Sequence, residues 1–243
     1  MIEIVRLYKS GQSISQIAKK FGVSKTTIHK KLRQHITLRP PVCRKHQINI
    51  TSITDYQTEA CAYWLGYLAC KGSLRDTRIT VRLSQNDIRH LHKLTESLAT
   101  SIMPTKKDGR CRLSINHTTL ARFYRDNGLP QFKIGDPTQI PTQKIVVRHL
   151  LRGLWDGSGI ITHNSRYLRM GFTSPHLEIL NFVGGLLQEI HVPTNKIDKR
   201  GGRFYCWWSG ASAMTIAKHL YFTQTISLDR KTNRVLDYLL VKK

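Results

Sequence analysis

Four stretches of this chain alternate between apolar side chains and side chains that grip anions or offer hydrogen bonds. Arg78, Thr80, Arg82 and Ser84 interleave with Ile79, Val81 and Leu83, and Arg110, Arg112, Ser114 and Asn116 with Cys111, Leu113 and Ile115. Tyr167, Arg169, Gly171 and Thr173 interleave with Leu168, Met170 and Phe172, and Arg203, Tyr205, Trp207 and Ser209 with Phe204, Cys206 and Trp208. A period of two puts the two sets on opposite faces of a β-strand, so each stretch predicts a strand that packs one face on helices and leaves the other polar. Guanidinium, hydroxyl, amide and aromatic groups suit phosphates and base edges in a major groove. An ordinary solvated face would mix charges of both signs, whereas acids are nearly absent from these strands.

A second basic face lies near the amino terminus, in SISQIAKKFGVSKTTIHKKLRQH from Ser13. Ile14, Ile17, Ala18 and Phe21 share one face of a short helix, and Val23, Ile28 and Leu32 continue the apolar set. Gly22 supplies the positive φ that ends that helix, and Ser24 is a fitting N-cap for another starting at Lys25. Residues 2 to 9 predict a supporting first helix, capped at Ser10-Gly11. On the second helix of the motif Lys25, Thr26, Thr27, His29, Lys30 and Arg33 stay outside the apolar stripe, available to DNA. This segment resembles the short helix-turn-helix modules of resolvases and transposases.

The elements that must hold these faces repeat along the chain. Ala62-Tyr63-Trp64-Leu65-Gly66-Tyr67-Leu68-Ala69-Cys70-Lys71-Gly72-Ser73 and His149-Leu150-Leu151-Arg152-Gly153-Leu154-Trp155-Asp156-Gly157-Ser158-Gly159 each predict a helix ending in glycine, followed by strands and further helices. Gly66 and Gly153 fall inside these helices, where glycine costs about 1 kcal/mol relative to alanine, so close helix packing is expected there. The fold class is α+β: two αββαββα-like halves plus a small all-α domain. The expected division is a helix-turn-helix over 1–38, a basic linker over 39–54 carrying Arg39, Pro40, Pro41, Arg44, Lys45 and His46, and halves over 55–141 and 142–243.

Composition agrees on the partner. Lys and Arg number 39 against 15 Asp and Glu, a net charge of +24, where about 2 to 8 suffices for solubility. A polyanion is expected. No apolar run reaches the ~20 residues of a membrane span and no signal peptide is evident, so an intracellular protein is expected. The cysteines, Cys43, Cys61, Cys70, Cys111 and Cys206, lack a C-x-x-C pair and read as reduced thiols. The 11 histidines are scattered; His90 and His92, at i and i+2 of a predicted helix, diverge and read as surface or phosphate-contacting residues. No metal site is expected.

The segments WLGYLACKGS and LLRGLWDGSGI resemble the two signature helices of LAGLIDADG homing endonucleases, and the resemblance covers roughly residues 55 to 240. Gly128-Leu129-Pro130-Gln131-Phe132-Lys133 and Leu228-Asp229-Arg230-Lys231 add supporting matches. The resemblance implies a two-motif monomer with internal pseudo-twofold symmetry, its sheets forming a saddle over double-stranded DNA. It also implies an acid before the last glycine of each motif, the pair holding Mg²⁺ for phosphodiester cleavage. Those positions are Lys71 and Ser158. Asp156 lies two residues earlier, about 200° around the helix. The reading is therefore a sequence-specific DNA-binding protein with impaired cleavage and no cofactor, Lys71 strengthening the hold on a phosphate. The alternatives are an active endonuclease using Mg²⁺ through Asp76, Asp156 or Asp198, and an RNA-binding intron maturase. A helix-turn-helix favours duplex DNA, because a helix enters its major groove but not that of A-form RNA.

Overall fold

A computed structural model describes residues 2–38, 46–128, 140–164, 166–222 and 225–241. The linker residues Arg39 to Lys45, with Cys43, and Leu129 to Lys133 of the supporting match lie outside the described residues. The chain forms two compact units, residues 1–45 and 46–243.

The first unit holds three short helices, α1 (Ile2–Lys9), α2 (Ile14–Lys20) and α3 (Lys25–Arg33). Their ends follow from local chemistry. Ser13 and Gln16 form a reciprocal capping box on α2. The Ser24 hydroxyl accepts from the Thr27 amide at 3.1 Å to start α3, and Gly22 between them has φ +65°. Ile4, Leu7, Tyr8, Ile17, Ala18, Ile28 and Leu32 form the core. Phe21 and Val23 do not join it as expected. They are 36% and 40% exposed, because Phe21 occupies the cap of α2 and Val23 the turn, both beyond the helical stripe.

The second unit begins with α4 (Thr51–Thr54), whose Ile53 is buried in its core. Two halves of one pattern follow: α5 (Glu59–Lys71), β1 (Gly72–Arg75), β2 (Arg78–Ser84), α6 (Ile88–Ser97), β3 (Thr105–Lys107), β4 (Arg110–Asn116) and α7 (Thr118–Asp126); then α8 (Val147–Ser158), β5 (Gly159–His163), β6 (Leu168–Ser174), α9 (Leu177–Gln188), β7 (Ile197–Arg200), β8 (Arg203–Ser209) and α10 (Gly210–Tyr221). A last helix, α11 (Asp229–Val241), closes the chain. Each half forms an antiparallel four-stranded sheet, ordered β1-β2-β4-β3 and β5-β6-β8-β7. The edge strands β1 and β5 follow directly from the two central helices. Tyr167, expected to open a strand, lies just before β6, its amide donating to the Asn164 side chain at 2.9 Å.

Helices α5 and α8 pack together through their glycines. A β-carbon on Gly66 would lie 2.3 Å from the Leu150 carbonyl oxygen, and one on Gly153 would lie 2.0 Å from that of Tyr63. Backbone meets backbone at both points, so no rotamer change could admit a side chain. The helices are further tied by the wholly buried Arg152, which pairs with Glu59 and donates to the Ile226 carbonyl at 2.7 Å. Burial pushes the Glu59 carboxyl up, but the Ile226 and Thr225 donors and Arg152 together hold it below its usual value. Trp64, Tyr63 and Tyr67 of α5, and Trp155 of α8 with Phe172 and Trp208, fill the core beneath the two sheets. Each such side chain contributes about 1.5–3 kcal/mol on burial.

Candidate functional site

The helical surface is set by α3. Ile28 and Leu32 point into the small core, while Lys25, Thr26, Thr27, His29, Lys30 and Arg33 are all exposed. Thr27 also serves the helix start, its hydroxyl lying 2.8 Å from that of Ser24.

On the first sheet the register brings the sequence-nominated residues face to face. Arg78 lies opposite Asn116, Thr80 opposite Ser114, Arg82 opposite Arg112 and Ser84 opposite Arg110, while Ile79, Val81, Leu83, Cys111, Leu113 and Ile115 turn into the core. Thr80, expected on the exposed face, is instead 6% exposed, covered beside Ser114, whose hydroxyl is 3.3 Å from its own and accepts from Arg112 at 3.0 Å. On the second sheet Arg169 lies opposite Ser209, Gly171 opposite Trp207 and Thr173 opposite Tyr205. The Trp207 ring covers Gly171, where a β-carbon would meet it at 2.6 Å. The Arg169 guanidinium sits 4.8 Å from the centre of the same ring, a cation–π contact.

The register also exposes cations that periodicity alone did not single out. Arg75 faces Arg78, Lys107 faces Arg110 and Arg200 faces Arg203, each pair flanking a two-residue hairpin turn. The turns Asp108-Gly109 and Gly201-Gly202 have positive φ at both residues, the type I′ signature that dipeptides of this kind announce. That signal could have placed Lys107, Arg110, Arg200 and Arg203 at hairpin tips. Like charges directly opposed across a sheet destabilise it, and with Arg82 and Arg112 this happens at four pairs on one kind of face.

The ends of the two central helices differ in chemistry. Lys71, last in α5, is exposed, and its side chain makes no hydrogen bond or ion pair among the described residues. Ser158, last in α8, is half-buried. Asp156 is 1% exposed and accepts from the Tyr63 hydroxyl at 2.8 Å, the Tyr221 hydroxyl at 2.7 Å and the Leu228 amide at 2.7 Å. Burial pushes its carboxyl up, against Lys231 and these donors. Lys231 itself donates to the carbonyls of Trp155, Asp156 and Gly159 at 2.5, 3.0 and 2.6 Å, a buried cation at a helix C-terminus. Asp229 pairs with Lys93 at 2.5 Å and Arg230 with Asp87 at 3.2 Å. The Leu228-Asp229-Arg230-Lys231 run is thus a clamp that joins α11 to both halves.

The remaining acids lie elsewhere. Asp76 occupies the β1–β2 turn at φ +54°, its carbonyl accepting from Arg125 at 2.8 Å. Asp198 stands on edge strand β7, 3.8 Å from both Lys196 and Arg200. Among the described residues no three His, Cys, Asp or Glu side chains come together as a metal site. The described cysteines, Cys61, Cys70, Cys111 and Cys206, are free thiols.

His90 departs from the surface role expected of the histidines. It is 2% exposed, its ring 4.4 Å from that of Tyr67 and its Nε2 3.2 Å from the Tyr63 hydroxyl. Because Tyr63 gives its proton to Asp156, the bond requires the neutral tautomer with the proton on Nε2. Nδ1 has no partner. Burial, with Lys93 nearby, brings the pKa of the ring down to about 3.

Comparison with known proteins follows the two units. Residues 1–35 match the family described as the helix-turn-helix domain of resolvase. No curated protein matches the chain in sequence. Among solved structures, the LAGLIDADG meganuclease I-AabMI bound to uncleaved DNA is similar with a TM-score of 0.54 and 12% identity, over 74% of this chain and 89% of that one. I-DmoI in complex with DNA and Ca is similar with a TM-score of 0.51 and 15% identity, over 78% of this chain and 99% of that one. At such identities the likeness shows the fold: a duplicated LAGLIDADG-type α+β architecture, together with a helix-turn-helix. No described helix is long and apolar enough to cross a membrane.

Proposed function

We propose that the chain is a sequence-specific double-stranded DNA-binding protein whose endonuclease-type fold has lost efficient cleavage. The observation that carries this is the set of opposed cation pairs on the outer sheet faces, Arg75 with Arg78, Arg82 with Arg112, Lys107 with Arg110 and Arg200 with Arg203. Such an arrangement opposes folding and makes sense when an anion lies over it. Phosphate contacts from these arginines would fix register, and Ser114, Asn116, Tyr205 and Trp207 between them would meet base edges. The DNA-bound state of similar folds supports the same partner. The α3 face, over the expected 1–38 module, would add a second major-groove contact, tethered by the linker and so raising affinity. The internal duplication over 55–141 and 142–243 supplies a twofold within one chain, which favours a monomer on DNA, inside the cell.

The residues at the helix ends do not fit Mg²⁺. An ammonium at Lys71 repels the ion, Ser158 brings no charge, and the Asp156 carboxylate already accepts from three donors. Hard divalent cations want several oxygen ligands with compensating negative charge. No cleavage step is therefore assigned.

Selection from a randomised duplex library with Mg²⁺ or Mn²⁺ tests the reading, run beside a Lys71→Asp, Ser158→Asp double variant. Retention of a defined sequence without cutting by the wild type is the expected result, with cutting gained in the variant. Cutting by the wild type would overturn the loss of cleavage, and failure to retain any duplex would overturn DNA binding.

A further inference from the structure

A cavity of about 450 Å³ opens between the end of α5 and the ends of the central strands β2 and β4 of the first sheet, lined by Lys71, Arg82, Arg110, Arg230, Asp87 and Asp156 among others. Both carboxylates are already committed. Asp87 takes Arg230 on both oxygens at 3.2 Å, and Asp156 holds its three buried donors. Lys71, Arg82 and Arg110 remain, all exposed and none with a side-chain hydrogen-bond or ion-pair partner among the described residues. Three uncompensated cations around one concavity repel one another, and a bound anion relieves that repulsion.

Among the described residues the second half has no matching set of cations. Gly72 pairs with Val81 and Gly159 with Phe172, so counting along the register makes Thr173 the counterpart of Arg82 and Arg203 that of Arg110. With Ser158 in place of Lys71, one cation stands where the first half has three, and Arg203 donates to Thr173 at 3.2 Å.

We infer that the cavity at the end of α5 is a metal-free phosphate site, in which Lys71, Arg82 and Arg110 hold one phosphate directly. Its volume lies within the roughly 300–1,000 Å³ of small-ligand pockets, room for a phosphate with its attached sugar. The inference rests on the DNA-binding reading for the source of that phosphate, a backbone phosphodiester. A free phosphate compound offers the same chemistry. The site makes the protein's hold on the duplex asymmetric, tight at the first half and loose at the second.

Two measurements on the full chain test it, both in EDTA. The first is the salt dependence of duplex binding by the wild type, Lys71→Gln, Arg110→Gln and, as a control on α10, Lys218→Gln. The second is calorimetric titration of the same four proteins with pyrophosphate. Each cavity variant should lose about one from the slope of log K against log salt and bind duplex roughly tenfold more weakly, with Lys218→Gln unchanged. All substituted side chains are exposed, and thermal unfolding checks that the variants fold. If the wild type binds duplex but neither slope nor pyrophosphate affinity changes at Lys71 or Arg110, the phosphate site is overturned and DNA binding stands. If pyrophosphate binds through Lys71 while no duplex is retained, the site stands and DNA is overturned as its source. If the wild type binds neither, both fall.

Discussion

Helices α5 and α8 carry the same packing device and opposite terminal chemistry. Gly66 and Gly153 each press backbone on backbone, at 2.3 and 2.0 Å from where a β-carbon would sit. Two residues before its last position, α5 has Ala69 where α8 has Asp156; at the last position Lys71 faces a cavity and Ser158 is half-buried. Packing a helix pair leaves little freedom, because any side chain at the crossing forces the backbones apart. A helix end facing solvent can change charge at little cost in stability. The end of α5 opens onto a cavity lined by cations, whereas Asp156 near the end of α8 turns inward, onto Tyr63, Tyr221 and the α11 clamp.

The strongest way to break the comparison is to test whether the crossing is symmetric. Gly66→Ala and Gly153→Ala should each destabilise the second unit by more than about 4 kcal/mol, beyond ordinary overpacking, because the obstructing atoms are backbone. Urea unfolding of both variants measures this. A cost under about 1 kcal/mol at either glycine would mean that the two helices do not meet as described.

Next comes the contrast between the helix ends. Asp156→Ala strips the acceptor from two tyrosine hydroxyls and the Leu228 amide and leaves Lys231 less compensated, for a loss of about 3 kcal/mol. Lys71→Ala, at an exposed site, should stay within about 0.5 kcal/mol of the wild type in the same assay. Equal costs would erase the division between a structural end and a ligand-facing one.

A third difference is pH dependence. The third residue of α6 is His90 and the third of α9 is Ile179, both 2% exposed. His90 titrates near 3 in the folded chain against 6.5 when unfolded. Between those values the unfolded chain binds the extra proton, so stability is complete above pH 6.5 and falls as the pH drops toward 3. From pH 7 to 5 the loss from this group is about 2 kcal/mol. Denaturant midpoints for the wild type and His90→Ile at the two pH values test it: the variant should lose less by that amount, and parallel losses would locate the sensitivity elsewhere.

These contrasts mark what sequence reveals. Alternation separated the inner and outer faces of β2, β4, β6 and β8, apart from the buried Thr80, and the mid-helix glycines announced the α5–α8 contact, because both signals lie within one element. The caps at Ser24 and Gly22 were legible for the same reason. The edge strands β1 and β5 were not singled out, being short continuations of helix ends with no alternation to mark them. His90 was misplaced because its burial depends on Tyr63 and Tyr67 from another helix, and the role of Lys231 depends on carbonyls more than 70 residues away. Polar groups buried by distant partners leave no periodic trace. Cations at hairpin tips did leave one, in the turn residues, but their opposition becomes evident only with the register.

The smallest expected effect separates the two sheets. At the centre of the first, Thr80 and Ser114 face each other beside the opposed Arg82 and Arg112; at the second, Trp207 covers Gly171 and carries Arg169 on its ring. Trp207→Ala removes an aromatic surface and a cation–π contact but no charge, so duplex binding should weaken by about 1 kcal/mol, roughly fivefold, with the salt slope unchanged. Arg82→Gln, one guanidinium fewer, should lower the slope by about one. Filter binding at several salt concentrations gives both numbers for both variants. If Trp207→Ala lowers the slope as much as Arg82→Gln does, the tryptophan acts by holding Arg169 against a phosphate, and the second sheet grips the backbone as the first does.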